Sequence, residues 1–578
     1  MASTNSFPDA EPSARGARKV PRELRGRKAG KRKQRLKDRR QHALDAMDKG
    51  WPAWSGLKPI FIFLLFPAAF AMLIILTGGH WPKAALYPIA AMLGLYVGIS
   101  AFTGVELTLA CLLLYLPFST TYVIPLAPGI NGTNMLLLLG LFASVMSASN
   151  KRQTFIPWLP GTGMVVAFGF WSALSGFTVM AHPGGFNYLL YHELLNYKAW
   201  LDQFLLYYIA MCTVRDTETA KRVVLYMCLG AIVLVLYSVP ELLDKMGRSS
   251  IEKSRIEGPQ KQSNNFGGFV AYTILPVGAL FLTYIKDYRA WFVTPYFLIA
   301  AKVLISTFSR GAYLAIAAGA MLATYYKGKG FLIIALTIAI SLVLVFPSII
   351  PESILLRMQS ITAHSENIGR GTEEQLDKSS EHRLILWRAA AKMTLEDPIL
   401  GKGFKGFQAL KSLYTERPVH EADPHSMYLY ISSQMGLPAL VLFLLILAYA
   451  FHLGRGLSRN REDLFVRAIG IGGAAATVCY AIICIFGSRA VNLEFTAYFW
   501  TYLACMQIIT LDLKKTAISA KPKKNRNVAV NQNKRLAQEN EPKQAHDEPE
   551  VPAPKLLIAP RKRLRKDRAG RKSRRQIP

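Results

Sequence analysis

HSMYLYISSQMGLPALVLFLLILAYAFHL, residues 425–453, contains no Asp, Glu, Lys or Arg and is long enough to cross a bilayer as one helix. Hydrocarbon offers no hydrogen-bond partners, so such a run spans as an α-helix, which satisfies its own backbone. Outward from it, similar apolar runs recur near 57–77, 83–100, 103–118, 134–149, 161–181, 195–214, 221–239, 266–285, 290–308, 311–326, 331–348, 466–487 and 495–512. The fold class expected is an all-α polytopic membrane protein with about 14 (12–14) transmembrane helices. Composition agrees: the 578 residues are 51% hydrophobic and 18% charged, with a mean hydropathy of +0.22. A soluble chain of this length would carry more charge. All six cysteines (Cys111, Cys212, Cys228, Cys479, Cys484, Cys505) lie inside the apolar runs. With no CxxC spacing, they read as buried small hydrophobes rather than a disulfide framework or a zinc site.

The net charge of +32 is concentrated at the two ends, +9 in residues 1–50 and +14 in residues 513–578. RKVPRELRGRKAGKRKQRLKDRR (18–40) and RKRLRKDRAGRKSRRQ (561–576) hold too little apolar surface to fold and are expected to be disordered. No aromatic residues interleave with these charges, so nucleic acid is not an expected partner; anionic membrane lipid is. An even number of spans puts both tails on one side. With that side cytoplasmic, the inner loops are NKRQ (150–153), RDTETAKR (215–222), KDYR (286–289), KGKG (327–330) and GRGLSRNRED (454–463), all short and basic. The first apolar run starts near Leu57, too late for a secretory signal. The expected organisation is a disordered basic cytoplasmic tail (1–55), transmembrane helices 1–11 (56–348), one large periplasmic loop containing short helices (349–424), helices 12–14 (425–512) and a second such tail (513–578).

Polar residues at the outer boundary carry the functional information, because each is costly there unless paired or used. Arg310 sits between two apolar runs joined by almost no loop, where cations are otherwise scarce; a snorkelling side chain is the plain alternative. In the long outer segment, EHRLILWRAAAKMTL (381–395) has helix-forming composition, a Ser379-Ser380 start and an end imposed by Pro398. Arg383 and Trp387, four apart, share one face of that helix. The GKGFKG stretch (401–406) lacks Walker spacing and reads as a flexible turn. Lys198 and Asp202 are expected to pair within one span, and Arg489, on a short outer turn, is expected to pair with Glu494. His425 opens its span directly after a polar loop, where an imidazole can act as a base. His420, Glu421, Asp423 and His425 straddle a proline with no HExxH frame, so no metal is expected, and no nucleotide fingerprint or cofactor motif occurs. Two guanidiniums and an imidazole near the outer leaflet suit a lipid-linked diphosphate, since Arg binds phosphate oxygens through a charged fork.

FSRGAYLAIAAG (308–319), EHRLILWRAAAKMTLEDPILGKGFKGF (381–407) and ADPHSMYLYISSQMGLPALVLFLL (422–445) together resemble the O-antigen ligase and polymerase superfamily. GPQKQSNNFGGFVA (258–271) is similar to the family's Asn-containing span start. The resemblance implies a metal-independent GT-C-type glycosyltransferase of the bacterial inner membrane. Such an enzyme passes a glycan from undecaprenyl diphosphate to an acceptor hydroxyl on the periplasmic face. Carried over by position, Arg310 and Arg383 would grip the diphosphate and His425 would activate or orient the acceptor. Trp387, Asn265 and Arg489 are added as candidate binding residues. Two departures are Ser426, where many relatives have Asn after the histidine, and a span count above the usual dozen. Ligase, polymerase and protein O-glycosylation ligase share this donor chemistry and differ in acceptor: lipid, growing glycan or protein. A lipid-linked glycan transporter is the rival from another class, and it lacks the internal repeat that such folds show.

Overall fold

The computed structural model describes residues 105–520, apart from 122–124, 128–129, 151–153, 182–184, 189, 192–193, 247–253 and 346–372. Both tails and the runs at 57–77 and 83–100 fall outside the described residues. Each of the later apolar runs coincides with a helix: α1 (Val105–Tyr115), α2 (Gly132–Asn150), α3 (Thr162–Gly176), α4 (Leu194–Thr213), α5 (Thr217–Tyr237), α6 (Ser263–Thr283), α7 (Thr294–Ser306), α8 (Arg310–Lys327) and α9 (Lys329–Val345). After the long segment, which contributes α10 (Glu373–Glu396), come α11 (Met427–Leu457), α12 (Leu464–Ile485) and α13 (Leu493–Ala520). A small antiparallel pair, β1 (Pro125–Ala127) with β2 (Ile130–Asn131), lies in a proline-containing loop between helices, and the fold is otherwise helical, as expected.

Seven stretches among the described residues are long and apolar enough to cross a membrane, which makes this a multi-pass membrane protein but does not reach the expected fourteen. Two of the expected runs lie outside the described residues, and those at 103–118 and 331–348 form shorter helices. Helices α4, α8 and α13 carry residues such as Asp202, Gln203, Arg310, Glu494 and Gln507, and α4 and α13 turn much of their surface to neighbouring helices rather than to lipid. α13 is the extreme case, buried almost continuously from Phe495 to Ile509. Its polar side chains find partners inside the bundle: Trp500 Nε1 donates to Gln203 Oε1 at 3.1 Å, and Gln507 Oε1 accepts from Tyr207 Oη at 2.8 Å. Such hydrogen bonds let a helix enter the membrane with less hydropathy than a lipid-facing one needs.

α12 is the hub, packed against α6, α8 and α11. The close approach rests on small residues: a Cβ at Gly470 would lie 2.2 Å from the Ser458 nitrogen, and one at Gly454 2.5 Å from the Ala474 nitrogen. All six cysteines are buried and unpaired, as expected. The expected Lys198–Asp202 pair forms at 2.5 Å, with Asn134 as a second partner of the lysine.

α10 starts eight residues earlier than the sequence suggested, at Glu373, because Glu, Gln and Leu before the serines are good helix formers. It ends at Glu396, just ahead of Pro398. The 401–406 stretch is not a loose turn. Gly401, Gly403 and Lys405 hold positive φ, and the strand of chain docks into a break in α11 at Gly436 (φ 80°, ψ 173°). There the Lys402 and Gly403 amides donate to the Ser433 and Gln434 carbonyls at 2.9 and 3.0 Å, and the Leu437 amide donates to the Pro398 carbonyl at 2.7 Å. Backbone groups freed by the broken helix are thus satisfied by the loop, which clamps α10 onto α11.

Candidate active site

Four element ends converge at one end of the bundle. At Gly267, in the first turns of α6, a Cβ would lie 2.6 Å from Thr307 Oγ1, so α6 starts against the turn that precedes α8. At Gly311, a Cβ would lie 2.9 Å from the Phe486 Cβ, so α8 starts against the end of α12. A Cβ at Gly268 would meet Ile483 and Phe495, which brings in the start of α13. The sequence placed Arg310 in a turn; it is in fact the first residue of α8, following Phe308 in the left-handed region (φ 52°).

Onto this corner the clamped α10 brings Arg383. Arg383 lies within electrostatic range of Arg310 and of Arg255; burial and these two like charges hold its guanidinium below the ordinary arginine value. Arg255 was not singled out from sequence. It straps the corner together, with Nε donating to the Thr307 carbonyl at 3.2 Å and Nη2 to Asn264 Oδ1 at 3.0 Å. Asn265, next in the chain, has its Oδ1 buried without a hydrogen-bond partner among the described residues, as has Trp387 Nε1.

His425 sits at φ 51°, a conformation that non-glycine residues adopt rarely and that marks a constrained site. Its constraint is Asp423, whose Oδ1 accepts from the His425 backbone amide at 2.7 Å and lies 3.3 Å from His425 Nδ1. The same oxygen accepts from Ser488 Oγ at 3.1 Å, tying the histidine loop to the turn between α12 and α13. Burial lowers the His425 pKa, Asp423 partly opposes this, and Arg383 lowers it again; Arg489 adds a smaller push the same way. Arg383 and His425, forty-two residues apart, therefore share one electrostatic environment.

Arg489 is 7% exposed, with its Nε lacking a partner, and burial pushes its pKa down to about 10. The ion pair with Glu494 that the sequence suggested does not form: among the described residues no carboxylate lies within 4 Å of Arg489, because the 3-10 turn Arg489–Val491 folds the guanidinium back under Gly487. Glu421 is drawn away by His382, 3.4 Å from its Oε1, rather than by the arginines. Burial raises the Glu421 pKa, but bonding from its own backbone and from His382 outweighs this and holds it low.

The arrangement therefore brings together Arg310, Arg383, His425 and Arg489, adds Arg255 and Asp423, and places Asn265 beside Asn264 on the same corner. Arg310, Arg383 and Arg489 have no carboxylate within ion-pair distance among the described residues. Asp423 and Glu494 act on Arg489 only at longer range, so the guanidiniums leave a half-buried corner with excess positive charge, an arrangement suited to an anion. Sequence reading missed Arg255 because nothing distinguished it from the other charged residues of 240–265. It saw Asp423 only as a conceivable metal ligand.

A search of curated proteins gives no match. Residues 295–444 match the O-antigen ligase family, and that span contains α8, α10 and the start of α11 with Arg310, Arg383 and His425. The similarity thus covers the membrane-and-loop segment that holds the three residues, about a quarter of the chain.

Proposed function

We propose that the protein is an O-antigen ligase-type glycosyltransferase. It moves a glycan from undecaprenyl diphosphate to an acceptor hydroxyl at the periplasmic face of the bacterial inner membrane, with both termini cytoplasmic. The observation that carries the reading is the group of arginines without paired carboxylates, next to a histidine whose neutral form is favoured. The family match over the same residues agrees with it.

In the reaction, the acceptor oxygen attacks the anomeric carbon while the bond from that carbon to the phosphate oxygen breaks. The hydroxyl proton passes to His425, and the lipid diphosphate leaves with the bonding electron pair. Asp423, 3.3 Å from Nδ1, favours a proton on that nitrogen and leaves Nε2 as the acceptor. Arg310 and Arg383 hold the diphosphate and neutralise the charge that grows on it as it departs. Arg489 and Arg255 add positive potential around it, and Asn265 and Trp387 offer unspent polar atoms to the donor's sugar.

The test is transfer by purified protein from a polyprenyl diphosphate glycan to lipid A-core, to a second donor glycan, or to a peptide. Arg310→Ala and His425→Ala should each abolish transfer at unchanged protein level; normal transfer by both would refute the reading. The acceptor that gains sugar separates ligase, polymerase and protein ligase.

A further inference from the structure

The four helices that frame the arginine corner also end together at the opposite face. α6 and α8 run away from the corner to Thr283 and Lys327, α11 runs to Leu457, and α12 returns from Leu464. At this second face lie Lys286, Lys327 and Arg467. Arg467 Nη2 donates to the Tyr326 and Lys327 carbonyls at 3.4 and 3.3 Å, and Lys327 Nζ donates to the Thr283 carbonyl at 3.3 Å. Lys327 is within electrostatic range of both Arg467 and Lys286, and Tyr326 of Arg455 and Arg459.

Cations at helix C-termini are favourable, which accounts for one donor group on each of Lys327 and Arg467. It does not account for five cations on one spot. Among the described residues, none of Lys286, Lys327 and Arg467 has a carboxylate within ion-pair distance. Two acids near this face are engaged elsewhere: Asp463 takes Lys221 at 2.7 Å, and Asp287 accepts from the Arg289 amide at 3.0 Å.

The depth of the cluster identifies its counter-charge. The 3-10 turn Tyr288–Val293 folds beneath the end of α6, with Trp291 edge-on to Phe281 at 5.4 Å and its Nε1 donating to the Ile285 carbonyl. Tyr288 (72% exposed), Trp291 (53%) and Phe292 (78%) are left on the surface with Tyr325. Exposed aromatic side chains on a membrane protein mark the headgroup level, where the acyl boundary meets water.

We propose that Lys286, Lys327 and Arg467, with Arg455 and Arg459 at the rim, form a binding site for the phosphate headgroup of an anionic phospholipid in the leaflet opposite the arginine corner. The headgroup supplies the negative charge that the protein withholds, and the aromatic turn seats the adjoining glycerol and acyl region. The site stands whether or not the transferase reading is correct.

Full-length protein in detergent, titrated with phosphatidylglycerol and read by native mass spectrometry, tests it. Lys327→Gln/Arg467→Gln keeps hydrogen-bond donors at both positions and removes two charges. It should weaken phosphatidylglycerol binding on the order of tenfold or more, at about 1 kcal/mol per cation. Lys514→Gln/Lys515→Gln, an equal charge change elsewhere, should not. Equal retention of the lipid by the first variant and wild type overturns the proposal. A second reading needs no variant: phosphatidylglycerol should raise the wild-type melting temperature more than phosphatidylcholine does, and equal shifts overturn the proposal. If inorganic phosphate alone reproduces the shift, the ligand is a soluble anion and the lipid assignment fails.

Discussion

The proposed proton transfer to His425 requires its neutral form, and the surroundings of the ring favour that form. Burial lowers its pKa, Asp423 pulls it partly back, and Arg383 lowers it further. A histidine with a lowered pKa stays unprotonated below the ordinary value of about 6.5, so transfer should hold through neutrality and decline only at more acidic pH. Asp423→Asn removes the larger of the two raising influences, Glu421 being the other. The acid limb should then move to still lower pH while the rate falls, because the ring loses its orienting partner. Rate against pH for both proteins is the check, and an acid limb centred above pH 7 would contradict a basic role for His425. Arg383 allows a second comparison. A lysine keeps the charge but loses the planar fork, so Arg383→Lys should slow transfer by about tenfold or more. Arg417→Lys, 74% exposed and paired only with Glu381, should leave transfer unchanged.

At the scale of elements, the clamp between the 398–403 loop and the break in α11 holds α10, the helix that carries Arg383, against α11. Gly436 is the pivot. Its φ of 80° disfavours any side chain, and a Cβ there would lie 2.0 Å from the Ile399 carbonyl oxygen. Gly436→Ala should therefore lower thermal stability by roughly 1–3 kcal/mol and displace α10. Transfer should fall with it although no reacting group is touched; a melting curve and transfer rate both equal to wild type would show that the clamp does not position the arginine. Proline two residues on, at 438, makes the same break cheap, since it could not have donated within a continuous helix. A sequence reading finds the glycine-rich stretch and the Gly-Leu-Pro motif separately; only their docking shows that each completes the other's hydrogen bonds.

For the whole molecule, stability rests on polar groups satisfied deep inside a bundle of unevenly apolar helices. Trp500 is a clear instance: 1% exposed, its ring packs on Phe204, Tyr207 and Phe499, and its Nε1 is the described partner of Gln203 Oε1. Trp500→Phe preserves most of the ring contact but orphans that amide oxygen. Unfolding in detergent should become easier by about 1–3 kcal/mol, seen as a lower melting temperature. No shift would mean the hydrogen bond contributes nothing. The same network explains why hydropathy undercounts spans: lipid-facing α2 and α7 look like membrane helices on composition, whereas α4 and α13 pack largely against protein and are free to be polar.

Apolar runs that become helices and the motifs around Arg310, Arg383 and His425 were readable from the chain itself. They depend on local composition, and the cost of burying charge or unpaired backbone in lipid acts on every such segment alike. Which cations face one another was decided only by tertiary structure. Arg255 and Asp423 joined the site because α6, α8, α12 and the clamped loop meet there, and Arg489 left its expected partner because a short turn folded it inward. Contacts between residues tens to hundreds of positions apart are set by how helices pack, and the spacing along the chain holds no record of that.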